Sequence, residues 1–166
     1  KKGGEFKVYT WKDTEGKKAF WHSSAHVLAQ SIKHFYPGAK LTIGPAIDKG
    51  FYYDVDFGDV KITEEDLNKF EVQFKIFTKE NSVFSMRKTS KESAIEFYKS
   101  LDNQYKVELI NDLEDKNITF CDHSNFSDLC KGGHIPNTGF IKAVKLLNIA
   151  GAYWRGNQNN KQLTRI

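Results

Sequence analysis

His22 and His26 bracket the run His-Ser-Ser-Ala-His, and Cys130 and His134 bracket Cys-Lys-Gly-Gly-His at the same spacing. On a helix, residues at i and i+4 share a face about one turn apart. The second pair is Gly-rich and belongs to a turn or loop mouth. Three imidazoles and a thiol can form a tetrahedral zinc site, or a cleft in which an imidazole activates water. Singly these residues say little. A lone histidine pair is more often a hydrogen-bonded surface feature, and a lone cysteine a small buried hydrophobe. Jointly, two pairs of equal spacing that use three of the five histidines and one of the two cysteines point to a shared site.

Asp128, two residues before Cys130, can orient an imidazole and fix its tautomer; otherwise it caps a turn. Lys106, in Tyr-Lys-Val-Glu-Leu-Ile, reads by default as a solvated helix lysine. Tyr52 and Tyr53 alternate faces on a strand, so one packs and the other lines a surface or cleft. His34 and His123 are expected to face solvent, and Cys121 to sit in a strand core.

These side chains need elements to hold them. Ala25, Leu28, Ala29, Ile32, Phe35 and Tyr36 make one apolar helical stripe with His22 and His26 at its edge, ended by Pro37-Gly38. Residues 5–11 alternate as a strand, 13–18 form a turn, and 40–43 and 50–57 read as further strands. Thr63 followed by Asp66 suggests a capping box before a helix with Leu67, Phe70, Phe74 and Phe77 inside. A strand over 84–88 precedes a helix capped by Ser90 whose inner face is Ala94, Phe97, Tyr98 and Leu101. Residues 105–113 read as a helix, and 118–121 and 140–147 as strands. Strands that pair as hairpins between helices favour an α+β fold, a mostly antiparallel sheet with helices packed on it.

A chain of 166 residues suits one domain with a real core, and the scarcity of Pro (3) beside abundant Phe (13) and Tyr (7) excludes extended disorder. The net charge of +4 tolerates a nucleic-acid partner without demanding one. Two cysteines are not a secreted disulfide framework, and no apolar run approaches the roughly 20 residues of a membrane span. A reducing cytoplasm is the expected location. The chain starts without Met and reads as a piece of something longer.

The motifs together resemble the editing domain of threonyl-tRNA synthetase, shared in more distant form with alanyl-tRNA synthetase. The matching runs are His22–Ala29, Ile43–Asp56, Asp128–Pro136 and Ala150–Gly156. The Gly-Phe-Tyr-Tyr-Asp and Ala-Gly-Ala-Tyr-Trp-Arg-Gly runs point to the threonyl branch. The chain departs from the family's Arg-Gly-Pro-His context: Lys131-Gly132-Gly133 precedes His134 here. The resemblance implies residues 1–18 as the end of a preceding region, 19–155 as the editing domain and 156–166 as the start of a linker. It implies hydrolysis of seryl-tRNA(Thr), with His22 and Lys106 acting on water and oxyanion and Asp128 holding a catalytic group or the substrate ammonium. His26, Cys130 and His134 would shape the pocket, and Tyr53 its wall. Zinc on His22, His26, Cys130 and His134 is the one cofactor the set allows. The implied partners are the serine-bearing acceptor end of tRNA(Thr) and the rest of a homodimeric synthetase, whose aminoacylation motifs this stretch lacks. Two other readings stay open: a catalytically inactive tRNA-binding module, and a structural zinc domain.

Overall fold

A computed structural model describes residues 4–114 and 117–166. Its centre is α1, Thr14–Phe35, whose residues 23–32 are buried on every side. Three serines inside it, Ser23, Ser24 and Ser31, donate their hydroxyls to the carbonyls four residues back, at 2.8–2.9 Å. That local bonding lets a polar sequence run through the core without unpaired hydroxyls.

After α1 come β1 (Lys40–Leu41), β2 (Ala46–Ile47), β3 (Gly50–Phe51) and β4 (Asp54–Asp56). Helix α2, Glu64–Lys79, packs on α1 and buries Leu67, Phe70, Phe74 and Phe77 as its periodicity predicts. The Thr63 amide donates to the Asp66 carboxylate at 2.9 Å, and the two residues close the expected capping box. Strand β5 (Ser85–Ser90) leads into α3 (Lys91–Ser100) and α4 (Gln104–Asn111). The chain continues through β6 (Asn117–His123) and β7 (Phe126–Leu129), and ends in β8 (Ala150–Tyr153) and β9 (Gln162–Arg165). Strand pairing is antiparallel throughout: a four-stranded sheet in the order β1-β4-β9-β8, a three-stranded sheet β5-β6-β7, and the hairpin β2-β3. The fold is α+β.

Several elements differ from the sequence reading. Residues 5–11 form no strand: they are exposed and find no partner strand among the described residues. Trp11 instead stacks edge-on against Phe20 and Trp21 of α1, which starts at Thr14 where a turn was expected. The segment 50–57 breaks at Tyr52 because it changes partners, from β2 to the β1 and β9 edges. Residues 140–147 form no strand either. The Leu146 amide donates to the Glu71 carboxylate of α2 (2.8 Å), so that stretch is held by side chains rather than by a ladder. Phe97 and Leu101, expected inside, are partly exposed, while Ala94 and Tyr98 alone of that face are buried. The polar tract after Gly156 is a short turn, and β9 beyond it pairs inside the sheet with Leu163 and Ile166 buried.

Apolar packing is divided. One cluster joins α1, α2 and β4; a smaller one, Ala94, Tyr98, Ile110, Ile118 and Phe120, joins α3, α4 and β6. The candidate residues lie between the two.

Candidate active site

Helix α1 carries His22 and His26 to the seam, and the end of β7 brings Cys130 against them. Cys130 is pinned to β6 at both ends of its peptide: its amide donates to the Thr119 carbonyl (3.0 Å) and its carbonyl accepts from Thr119 Oγ1 (2.5 Å). Gly132 (φ +97°) and Gly133 (φ +84°) then turn the chain through the left-handed region, which returns His134 to the cluster. Only glycine adopts these angles readily, so the residue at 133 suits the turn as it stands.

The side chains meet closely. His22 Nε2 lies 3.2 Å from His26 Nε2 and 3.6 Å from Cys130 Sγ, which is 3.1 Å from His134 Nε2. The four ligating atoms all fall within 4.8 Å of one another. A tetrahedral zinc ion would set nitrogen donors about 3.3 Å apart and nitrogen and sulfur about 3.6 Å apart. The donor types and the His22–His26 and His22–Cys130 separations fit that ion, the Cys130–His134 contact is tighter than it requires, and all four positions would be taken by protein.

A second layer lies deeper. Lys106 of α4 and Asp128 of β7 form a buried ion pair, Nζ to Oδ1 2.6 Å. Asp128 also accepts from the Tyr53 hydroxyl (2.5 Å) and the Tyr98 hydroxyl (3.1 Å), and Lys106 donates to the Tyr53 oxygen (3.2 Å). Tyr98 in turn accepts from the Leu129 amide at 2.7 Å, which fixes its ring beside the carboxylate. His26 Nδ1 is buried with no hydrogen-bond partner among the described residues, and Asp128 Oδ2 lies 3.8 Å away. Asp128 thus joins the two layers.

Burial sets the protonation states. Desolvation lowers the pKa of His22, against an opposing pull from the backbone at Gly133 and from Asp128. It lowers that of His26 well below the usual imidazole value, with the neighbouring His134 and His22 adding to the effect. His134 falls to about 3, and the Cys130 thiol rises to about 11, both chiefly through burial. Tyr53 and Tyr98 are raised well above the phenol range by burial and then by the Asp128 charge. Near neutral pH the cluster therefore holds neutral imidazoles, a protonated thiol and two phenols that donate.

A cavity of about 360 Å³ opens on this arrangement, lined by His22, His26, Tyr53, Lys106, Asp128 and Cys130 among others. Its size is in the range of small-ligand sites. His134 does not line it. Its ring stacks between His22 and Phe84 and faces a second cavity beside Tyr9, Trp11 and Phe140.

Every candidate from the sequence is thus near the seam, with two readings changed. Lys106 is buried and paired, where a solvated lysine was the default. His123 is buried against Phe84 and Phe126 with neither ring nitrogen bonded among the described residues, where the sequence points to solvent. His34 is exposed and Cys121 buried, as expected. Tyr53 is the buried tyrosine, and Tyr52 carries the Arg165 guanidinium over its ring at 3.8 Å. Tyr98 read only as a core residue and Ser23 gave no signal, because their roles come from partners 30 and 111 residues away.

Residues 118–166 match the family model described as the threonyl and alanyl tRNA synthetase second additional domain. The chain is similar to a threonine–tRNA ligase of Flavobacterium psychrophilum, 61% identical over 163 residues, which is 98% of the chain and 25% of that protein. A Flavobacterium johnsoniae threonine–tRNA ligase is 60% identical over the same shares. One from Carboxydothermus hydrogenoformans is 49% identical over 98% of the chain and 26% of its own length. The chain spans about a quarter of the length of the curated relatives it matches.

Proposed function

We propose, from the premise that this chain belongs to the threonyl-tRNA synthetase family, that it is the part that edits, hydrolysing the ester of seryl-tRNA(Thr). The observation that supports this most is the meeting, in one cavity, of the His22/His26 pair, Cys130 and the buried Lys106–Asp128 pair. The chemical need is plain. A pocket that binds the hydroxyl of threonine also binds serine, and one missing methyl gives only about 1–3 kcal/mol of discrimination. A second, hydrolytic pocket supplies the rest.

His22 is neutral at working pH and only half-buried, so the lone pair on its Nε2 can take a proton from a water entering the cavity. The water oxygen bonds to the ester carbonyl carbon, and the carbonyl oxygen becomes an oxyanion. Lys106, held in place by Asp128, supplies the positive charge for it. Collapse breaks the bond to the ribose oxygen, which leaves with the proton returned by His22. Tyr53, locked between Lys106 and Asp128, forms a rigid wall against which the amino-acid side chain is measured. His26, Cys130 and His134 hold the shape of the site. Zinc, if bound by the four donors, would supply a structural brace there, since a closed ligand set leaves no position for water.

The serine-charged acceptor end of tRNA(Thr) is the substrate, and the remainder of a cytoplasmic, homodimeric synthetase supplies the grip on the tRNA body. The test is deacylation of seryl-tRNA(Thr) beside threonyl-tRNA(Thr), with the chain and its His22→Ala variant, with and without chelator. Selective loss of serine that the variant abolishes supports editing. No serine release, either by this chain or by the full-length enzyme carrying it, overturns editing in favour of an inactive tRNA-binding module.

A further inference from the structure

Ser23 sits between the two histidines of the first pair, fully buried, and its hydroxyl oxygen touches three groups. The Ala19 carbonyl is 2.8 Å away, the Ile135 amide nitrogen 3.1 Å, and His134 Nδ1 3.1 Å. A serine hydroxyl has one proton and two lone pairs. A carbonyl cannot donate and an amide N–H cannot accept. If the hydroxyl proton went to His134, the oxygens of Ser23 and Ala19 would face each other at 2.8 Å with no proton between them. The arrangement without that repulsion gives the proton to Ala19 and one lone pair to the Ile135 N–H. The other lone pair then receives a proton from His134 Nδ1.

We propose that Ser23 is a positioning residue that fixes His134 as the Nδ1–H tautomer, so that its Nε2 lone pair faces Cys130. The consequence reaches the centre of the cluster. His134 Nε2 is 3.1 Å from Cys130 Sγ, and the Gly132 amide already donates to that sulfur at 3.2 Å. A lone pair on Nε2 accepts the thiol proton, which leaves a lone pair of the sulfur to the Gly132 amide. The same lone pair is the one a metal ion would need. One helix position thus orients the second motif from inside the first, and Ile135 N–H ties the loop after His134 to the same oxygen. The inference concerns the same site and rests on the editing reading only for its effect on rate.

The tautomer is read directly by two-bond proton–nitrogen NMR correlations on chain labelled with ¹⁵N-histidine and freed of metal. The wild type is expected to show His134 protonated on Nδ1. Ser23→Ala should lose that single tautomer while backbone amides far from the site keep their shifts, and Ser23→Thr, which retains the hydroxyl, should restore it. Seryl-tRNA(Thr) hydrolysis by Ser23→Ala should fall in kcat by roughly tenfold or more with KM little changed, the size usual for partners behind a site's first ring of residues. An Nε2–H tautomer in the wild type overturns the proposal without any variant. An unchanged tautomer in a folded Ser23→Ala overturns it equally. Absence of hydrolysis in the wild type would count against the editing reading and leave the tautomer result standing.

Discussion

The Lys106 ammonium and the Asp128 carboxylate face each other at 2.6 Å with both side chains nearly closed to solvent. Removing one partner of such a pair strands the other, at a cost of about 3–5 kcal/mol, more than the pair itself contributes. The two single losses should differ. Without Lys106, Asp128 keeps two tyrosine donors; without Asp128, Lys106 keeps only the Tyr53 oxygen. Urea unfolding of Lys106→Met, Asp128→Ala and the double variant should therefore show Asp128→Ala as the larger loss, with the double variant well short of the sum. Additive losses would mean that solvent reaches the pair.

Gly44 packs so closely against the Tyr53 ring that a Cβ would overlap its Cδ2 and Cε2 atoms. The backbone there is not in the left-handed region, so alanine meets a steric limit and no torsional one. Gly44→Ala should push Tyr53 off Asp128, at a cost of about 1–3 kcal/mol as for other overpacked sites, and lower hydrolysis. In a Tyr53→Leu background the same change should cost little. Thermal melts of the four proteins decide whether Gly44 acts through that ring.

The two short motifs were legible because spacing alone determines which residues share a helix turn or a glycine-rich loop. The four amphipathic faces were legible in part. α2 buries all four expected residues, whereas Phe97 of α3 and Leu101 at its end reach solvent while Ala94 and Tyr98 are covered. What could not be read were partners set by tertiary contact. Residues 5–11 alternate like a strand, yet without a neighbour to accept their amides they form none. Lys106 looked solvated because nothing within four residues pairs with it; its carboxylate lies 22 positions on, in β7. Leu163 and Ile166 followed a polar tract, and only the gap between β4 and β8 makes them core.

Zinc and the proposed base role compete for one atom. His22 Nε2 is among the four converging donors, so a bound ion takes the lone pair that would accept the water's proton. Added Zn²⁺ should raise the melting temperature and inhibit release of serine, and a chelator should reverse both. Cys130→Ser should blunt the inhibition, since it removes the softest ligand. Hydrolysis that rises with zinc would remove His22 from the role of base.

His123 gives the chain an acid-sensitive core. Burial drops its pKa to about 4, while in the unfolded chain it returns to the ordinary value near 6.5. Above about pH 6.5 it is neutral in both states and its contribution is constant. Between about 6.5 and 4 the unfolded chain binds the extra proton, so stability falls as pH falls; below about 4 both states are protonated and this loss ends. From about pH 7.5 to about pH 5.5 the loss assigned to this residue is roughly 1 kcal/mol. Its ring nitrogens make no hydrogen bonds and its neighbours Phe84 and Phe126 are aromatic, so His123→Phe forfeits no polar contact. Urea midpoints at the two pH values should converge in that variant by about that amount, with stability at the higher pH held or improved. An unchanged acid sensitivity would assign the effect to His26 and His134, whose pKa values burial lowers in the same direction.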